Sequence, residues 1–241
     1  MSPTSITSFD FKPGARIGKR YVVQSRLGVG WEGEVYKLRE LDTNIERAGK
    51  FFFPHRNRRR KASRVYAQKL HKLRAFPILI QYHASDIFEF KGQDVVFLVS
   101  EFVEGELLED FLSRQRGKRI GVFQGLHLLH ALAAGMEGIH EAREYHGDLH
   151  TRNIIVRRFG ISFDLKLLDM YHYGPATSAD LQDDVVDLVR IFYDAIGGAE
   201  RYAKQPIEAK QICRGLKRTL ILEQYRTAGQ LRHYLETMQW S

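Results

Sequence analysis

Strand-like apolar runs fill the first hundred residues of this chain, and helical spacing of apolar positions dominates the rest. Residues 1–12 are rich in Ser and Thr and are expected to be loose. Pro13-Gly14 leads into Tyr21–Leu27, a β-branched and aromatic run that predicts a strand. Further strands are predicted near Glu46 to Phe53, over Ile80–Glu89 and over Gln93–Phe102, with a helix over Arg56–Arg74 between them. Gly105 breaks the last of these strands, and a short helix, Leu107–Leu112, should follow. Leu126, Leu129, Ala133, Met136 and Ile139 recur at helical spacing within Gly121–Tyr145, which predicts a long buried helix. Ile154-Ile155-Val156 and Leu165–Leu168 read as two short strands. An irregular piece through Ser178 precedes a helix striped by Asp184, Val185, Leu188, Phe192 and Ala195 and stopped by Gly197-Gly198. Leu231, Tyr234, Leu235 and Met238 mark a last helix. The pattern predicts an α+β chain of two lobes, β-rich over 13–103 and helical over 104–241, hinged near Glu101–Gly105.

Composition narrows this only slightly. At 241 residues the chain can form one large domain or two lobes sharing a cleft, and 44% hydrophobic with 27% charged residues is ordinary for a globular protein. No apolar run approaches a membrane span, and Met1–Asp10 has no signal-peptide core. Cys213 is the single cysteine, so no intrachain disulfide can form, and a reducing, cytoplasmic setting is expected.

Charge adds more. The net charge of +8 favours anionic partners without choosing among them. Between Arg47 and Ser85 there is no Asp or Glu, yet the span holds eleven Lys and Arg residues. Such a run is either a solvated helix face or a docking surface for an acidic partner over Arg56–Arg74. A nucleic-acid module is disfavoured, because interleaved aromatics and a module motif are absent.

Candidate chemistry centres on Tyr145–Asn153. Asp148 and Asn153 stand five positions apart in one polar loop, and the second short strand delivers Asp169. One Asp can orient a hydroxyl and accept its proton, while the Asn and the other Asp can hold Mg²⁺ between phosphates. Upstream, Gly28, Gly30, Gly33 and Val35 form a G-x-G-x-x-G-x-V run between strands, followed by Lys50 on a third strand. Glycines there let backbone N–H groups approach a triphosphate, and the lysine is placed to clamp it. A dinucleotide fold is disfavoured, since a strand follows the third glycine. Trp31 stands at the tip of this run. His127 and His130 share helical spacing but read as lining of the large lobe rather than as a metal pair. Tyr171, Tyr173, Thr177 and Ser178 carry hydroxyls that could accept phosphate.

Together these motifs resemble the protein-kinase fold, in particular the eukaryotic-like Ser/Thr kinases of bacteria, over residues 13–238. The resemblance implies an ATP- and Mg²⁺-dependent phosphotransferase acting on a protein or small-molecule hydroxyl. It assigns Gly28, Gly30, Gly33, Val35, Ala48 and Lys50 to ATP, with Ile155 beneath adenine and the backbone of Glu101 and Val103 bonding its edge beside a gatekeeper Ser100. It makes Asp148 catalytic, Asn153 and Asp169 metal ligands, Asp184 the brace of the catalytic loop, and His146 a structural brace.

Departures from the family pattern are specific. Alignment on Phe76-Pro77 puts Ala67, with Gln68 beside it, where the family's helix glutamate pairs with the strand lysine. Lys50 could then lean on Gln68, on Asp169 or directly on phosphate. Gly147 replaces the family's catalytic-loop arginine, and His150 replaces its lysine, where it could touch the γ-phosphate. The order His146-Gly147-Asp148-Leu149-His150 resembles the aminoglycoside phosphotransferase branch. Only fourteen residues separate Asp169 from Asp184, which shortens the peptide-docking platform. The alternatives to a compact Ser/Thr kinase are a pseudokinase scaffold and a small-molecule or lipid kinase.

Overall fold

The computed structural model describes residues 5–170 and 174–239. The chain forms two compact units, one of Met1–Ala75 with Ile80–Val103 and one of Phe76–Leu79 with Glu104–Ser241. Tyr171 and Tyr173 lie outside the described residues.

The first unit is a six-stranded antiparallel sheet with one long helix. Its strands are β1 (Arg16–Ile17), β2 (Tyr21–Val29), β3 (Gly33–Glu40), β4 (Glu46–Phe52), β5 (Tyr82–Phe90) and β6 (Gln93–Glu101), in the order β1-β2-β3-β4-β6-β5. Helix α1 (Lys61–Lys72) packs on β5 and β6. The continuous apolar run Val95–Val99 on β6 is explained by cover on both faces. Val95, Phe97 and Val99 join an aromatic core with Tyr36 and Phe51, and Phe51 stacks on Phe97 at 4.9 Å. Before α1 the chain turns through Arg59 and Arg60, both at positive φ. Ahead of that turn, Asn57 Oδ1 accepts from the Ser63 amide in the first turn of α1 at 3.1 Å.

Of the N-terminal residues 1–12, expected to be loose, the described ones from Ser5 onward are packed. Ile6 and Phe9 are buried in the core, and the Phe9 ring lies against Phe11, Phe51, Phe53 and Phe90. The buried carboxylate of Glu34 fixes it by accepting from Ser8 Oγ at 2.9 Å and from the Phe9 amide at 3.1 Å. Tyr36 donates to the same carboxylate, and burial together with that bond pushes its phenol up to about 12.

The second unit is mainly helical. It begins with β7 (Glu106–Leu107), α2 (Leu108–Arg114) and α3 (Val122–Glu141), then the hairpin β8 (Ile154–Phe159) and β9 (Ser162–Leu167). Helices α4 (Ser178–Ala195), α5 (Gly198–Tyr202), α6 (Ile207–Cys213), α7 (Arg218–Gln224) and α8 (Ala228–Thr237) follow. Helix α3 is central, packing on α4, α8 and β9. The segment Phe76–Leu79 joins this unit because Gly135 and Gly138 let it approach α3. A Cβ at Gly135 would lie 2.1 Å from Ile78 Cδ1, and one at Gly138 would lie 2.6 Å from Phe76 Cε1. The Leu167 amide completes the contact by donating to Ile78 O at 2.7 Å.

Thr177 is the N-cap of α4, with its amide donating to Asp180 Oδ2 at 2.8 Å in a capping box. Among the described residues no helix is long and apolar enough to cross a membrane.

Candidate active site

In the sheet unit, strand register sorts the expected nucleotide residues onto one face. Gly28 pairs with Val35, Val35 with Lys50 and Lys50 with Leu98, while Lys37 pairs with Ala48 and Ala48 with Ser100. Paired residues and residues two apart point the same way, so Val35, Ala48 and Lys50 share the face opposite the aromatic core. The three glycines before Lys50 are unequal. A Cβ on Gly33 would sit 1.8 Å from the carbonyl oxygen of Phe51, so that glycine is required by the close approach of β3 and β4. A methyl group on Gly28 or Gly30 would meet nothing within 4 Å, so the missing side chains there leave open space above the hairpin. The amide of Glu101 donates to Gln81 O at 2.9 Å.

Lys50 is held by a residue that spacing did not single out. Its Nζ lies 3.1 Å from Glu32 Oε2, and the two side chains are 16% and 14% exposed. The α1 residue beside the ammonium is Tyr66, with its ring centroid 4.8 Å away. Ala67 and Gln68 line a groove together with Arg64 and His71. Trp31, 63% exposed, carries the Arg56 guanidinium over its ring at 4.1 Å.

In the helical unit, the loop before β8 is tied down by one buried carboxylate. Asp184, fully buried on α4, accepts from the amides of His146 and Gly147 at 2.7 and 2.8 Å and from His140 Nε2 at 3.1 Å. His146 is also fully buried, and its Nδ1 accepts from the Asp148 amide at 3.3 Å. Asp148, His150 and Asn153 cluster at the end of that loop. Asn153 Nδ2 donates to Asp148 O at 2.8 Å and to Asp148 Oδ2 at 3.0 Å, and it lies 3.1 Å from His150 Nε2. His150 Nε2 is 3.5 Å from Asp148 Oδ2, and its Nδ1 accepts from the Arg152 amide at 3.2 Å.

The β8–β9 hairpin brings Asp169 next to this cluster in sequence register. Ile154 pairs with Leu167, and the Leu168 amide donates to Asn153 O at 2.8 Å. Asp169 follows with positive φ and an exposed side chain. Ile155 is half-buried in β8 opposite Leu107, with Gly105 close against it.

These donors suit Mg²⁺. With its Nδ2 committed to Asp148, Asn153 has Oδ1 to offer, and Asp169 adds a carboxylate, which makes a hard, all-oxygen set. Among the described residues no three His, Cys, Asp or Glu side chains converge as a metal cage. A Mg²⁺ ion that shares its shell with water and phosphate does not require one. His130 faces Glu236 at 2.9 Å, and the His127 ring lies edge-on to Phe123, so the two are surface contacts of α3.

Sequence reasoning also passed over Asp187, one turn beyond Asp184. Burial and the neighbouring carboxylates of Asp184, Asp183 and Asp148 push it up to about 6, against the opposing pull of Arg190. The available signal was the repeated acidic spacing Asp183, Asp184, Asp187 on a helix that follows the catalytic loop.

A glycine-rich β-hairpin, a strand lysine, and an Asp–Asn pair braced by a buried helix Asp define the protein-kinase class. A family profile described as protein kinase domain matches residues 21–190, and the chain belongs to that family. It is 29% identical over 173 residues to the serine/threonine-protein kinase Nek11 of Homo sapiens, a stretch covering 65% of this chain and 26% of that protein. The Mus musculus Nek11 is also 29% identical, over 177 residues and 26% of its length. The match therefore spans about a quarter of those relatives. The probable serine/threonine-protein kinase YbdM of Bacillus subtilis (strain 168) is 23% identical over 240 residues, 93% of this chain and 91% of that protein. Members of the family generally use ATP and Mg²⁺.

Proposed function

We propose that this chain is an ATP-dependent Ser/Thr protein kinase of compact form. The observation that carries the proposal is the Asp148–Asn153 cluster, held on a loop whose amides are clamped by the buried carboxylate of Asp184. A structural loop gains nothing from projecting an exposed carboxylate off such a rigid support, whereas a group that must be positioned does.

In this reading the Gly28–Val35 hairpin and Lys50 hold the phosphates of ATP, while Val35, Ala48 and Ile155 flank adenine. Carbonyl and amide groups of the Glu101–Val103 segment read the edge of the base. Asn153 and Asp169 would hold Mg²⁺, which supplies charge neutralisation at the phosphates. Asp148 orients the acceptor hydroxyl and takes up its proton as that oxygen bonds to the γ-phosphorus and ADP departs. His150, whose Nε2 lies 3.5 Å from Asp148, would touch the transferred phosphate in this reading. Glu32 supplies the carboxylate partner of Lys50 that helix α1 lacks. Asp184 and His146 act as positioning residues. The buried Cys213 fits a reducing, cytoplasmic setting.

The test is Mg²⁺-ATP turnover on a generic Ser/Thr protein substrate, with phosphoamino-acid analysis of the product. Asp148→Ala should lower turnover by about a thousandfold or more while leaving the melting temperature within a few degrees. Equal turnover by Asp148→Ala overturns the enzyme reading. Phosphate appearing only on a small-molecule acceptor overturns the protein-kinase reading.

A further inference from the structure

The face of the sheet unit assigned above to the nucleotide carries a second lysine that the proposed chemistry leaves without a task. Lys37 lies on β3 opposite Ala48, and Ala48 lies opposite Ser100 on β6, so the three side chains share the face that holds Val35 and Lys50. The Lys37 side chain is only 23% exposed. Its Nζ stands 4.2 Å from the centroid of the Phe102 ring and 2.6 Å from Glu46 Oε1.

Two features set this contact apart from an ordinary ion pair between neighbouring strands. The first is the ring. An exposed lysine facing only a carboxylate contributes little, because its long chain loses freedom and water screens the pair. Here the ammonium is held between an aromatic ring and an acid, and the aromatic attraction strengthens as water is excluded. The second is where the ring sits. Strand β6 ends at Glu101, so Phe102 and Val103 follow outside the sheet ladder. Glu101 is tied twice to Gln81, its amide donating to Gln81 O and its Oε1 accepting the Gln81 amide, each at 2.9 Å. Lys37 supplies a further tie one residue on, at Phe102.

We infer that Lys37 is a positioning residue for the base of the nucleotide, pinning the Phe102 ring and so setting the Glu101–Val103 backbone against which a purine edge bonds. The inference rests on the nucleotide reading of this face given above. Hydrogen bonds to a flat base weaken steeply when donor and acceptor lose alignment. A segment that has left the ladder keeps that alignment only if its own side chains are anchored, and an anchor made before binding lowers the cost of ordering it afterwards. Glu46 keeps the ammonium over the ring instead of out in solvent. Lys50 and Lys37 thus divide the face, the first toward the phosphates and the second toward the base.

The first readout needs no nucleotide. In hydrogen exchange followed by mass spectrometry, Lys37→Met should raise the exchange rate of the Glu101 amide by about three- to tenfold. Lys37→Arg, which keeps a cation over the ring, should restore the slow rate. The second readout is binding of Mg²⁺-ATP by titration calorimetry to the Asp148→Ala chain. Adding Lys37→Met should weaken that binding by about three- to tenfold, and with Asp148 intact it should raise the KM for ATP by a like factor while kcat stays nearly constant. Phe102→Leu should weaken binding to the same extent, and the two changes together no further than either alone. Equal exchange at Glu101 in Lys37→Met and the unaltered chain overturns the inference, as do fully additive effects of Lys37→Met and Phe102→Leu. If the chain binds Mg²⁺-ATP and Lys37→Met binds it as tightly, the inference alone falls. If the unaltered chain binds no Mg²⁺-ATP, the nucleotide reading falls and takes the inference with it.

Discussion

Glu32→Gln is the most informative single change, because it removes the charge facing Lys50 while keeping size and polarity. The pair is 3.1 Å long and mostly sheltered from solvent. At that distance the bare attraction is about 5 kcal/mol for an effective dielectric near 20, and desolvation of both ions returns most of it. What remains is the net worth of one charge-assisted hydrogen bond, about 1.5–3 kcal/mol. If Glu32 holds the ammonium in position for phosphate, that loss reduces kcat/KM for ATP by about 10- to 100-fold, with most of the change in kcat. Glu32→Asp, which restores the charge on a shorter arm, should recover part of it. The assay is steady-state phosphorylation of a Ser/Thr protein substrate across ATP concentrations, with thermal melts to confirm that each variant is folded. Unchanged or raised turnover in Glu32→Gln, accompanied by a lower KM for ATP, would refute the reasoning. Glu32 would then be a competitor for the ammonium and not its support.

Other consequences follow from the same geometry. Asp184→Asn replaces a fully buried carboxylate that accepts from two amides and a histidine, so it should cost about 3 kcal/mol or more in urea unfolding and abolish turnover together with it. Gly33→Ala should destabilise the sheet strongly, because its methyl meets the Phe51 carbonyl, whereas Gly30→Ala should leave the melting temperature nearly unchanged and raise the KM for ATP. Asp187 binds its proton more tightly in the folded chain than in the unfolded one, so its contribution to stability is full below about pH 4 and is lost as pH rises through about 6. Asp187→Asn should therefore melt about 2–4 °C higher than the unaltered chain at pH 8, the shift expected for about 1 kcal/mol, with the difference vanishing near pH 4. A constant difference across that range would exclude the titration as its source.

How much of this could be read from the chain depended on how local each feature is. The Asp148–Asn153 spacing and the arrival of Asp169 were legible because one short hairpin, β8–β9, sets their relation. The stripes of α3 and α4 were legible because each is long enough to show its period. Residues 1–12 misled because five of the twelve are Ser or Thr, while the residues that matter, Ile6, Phe9 and Phe11, have no period and pack only on the finished sheet. The partner of Lys50 was illegible for a related reason. Alignment on Phe76-Pro77 placed Ala67 beside the lysine, yet successive helical residues differ in direction by about 100°, and the neighbouring Tyr66 has its ring 4.8 Å from the ammonium. The short helices α5, α6 and α7 carry too few turns to display an apolar period.

The position of Glu32 also changes what Lys50 depends on. When a lysine's carboxylate sits on a helix, the ion pair exists only while that helix is docked, so any movement of the helix reaches the active site. Here both partners belong to one antiparallel ladder, with Gly33 opposite Phe52, Val35 opposite Lys50, and the Phe53 amide donating to Glu32 O at 2.9 Å. Backbone hydrogen bonds hold the two side chains at matching positions whatever α1 does. Helix α1 contributes the Tyr66 ring, a cation–π contact worth about 0.5–2 kcal/mol. Relieved of supplying an acid, the helix exposes Lys61, Arg64, His71 and Lys72 together with the neutral Gln68.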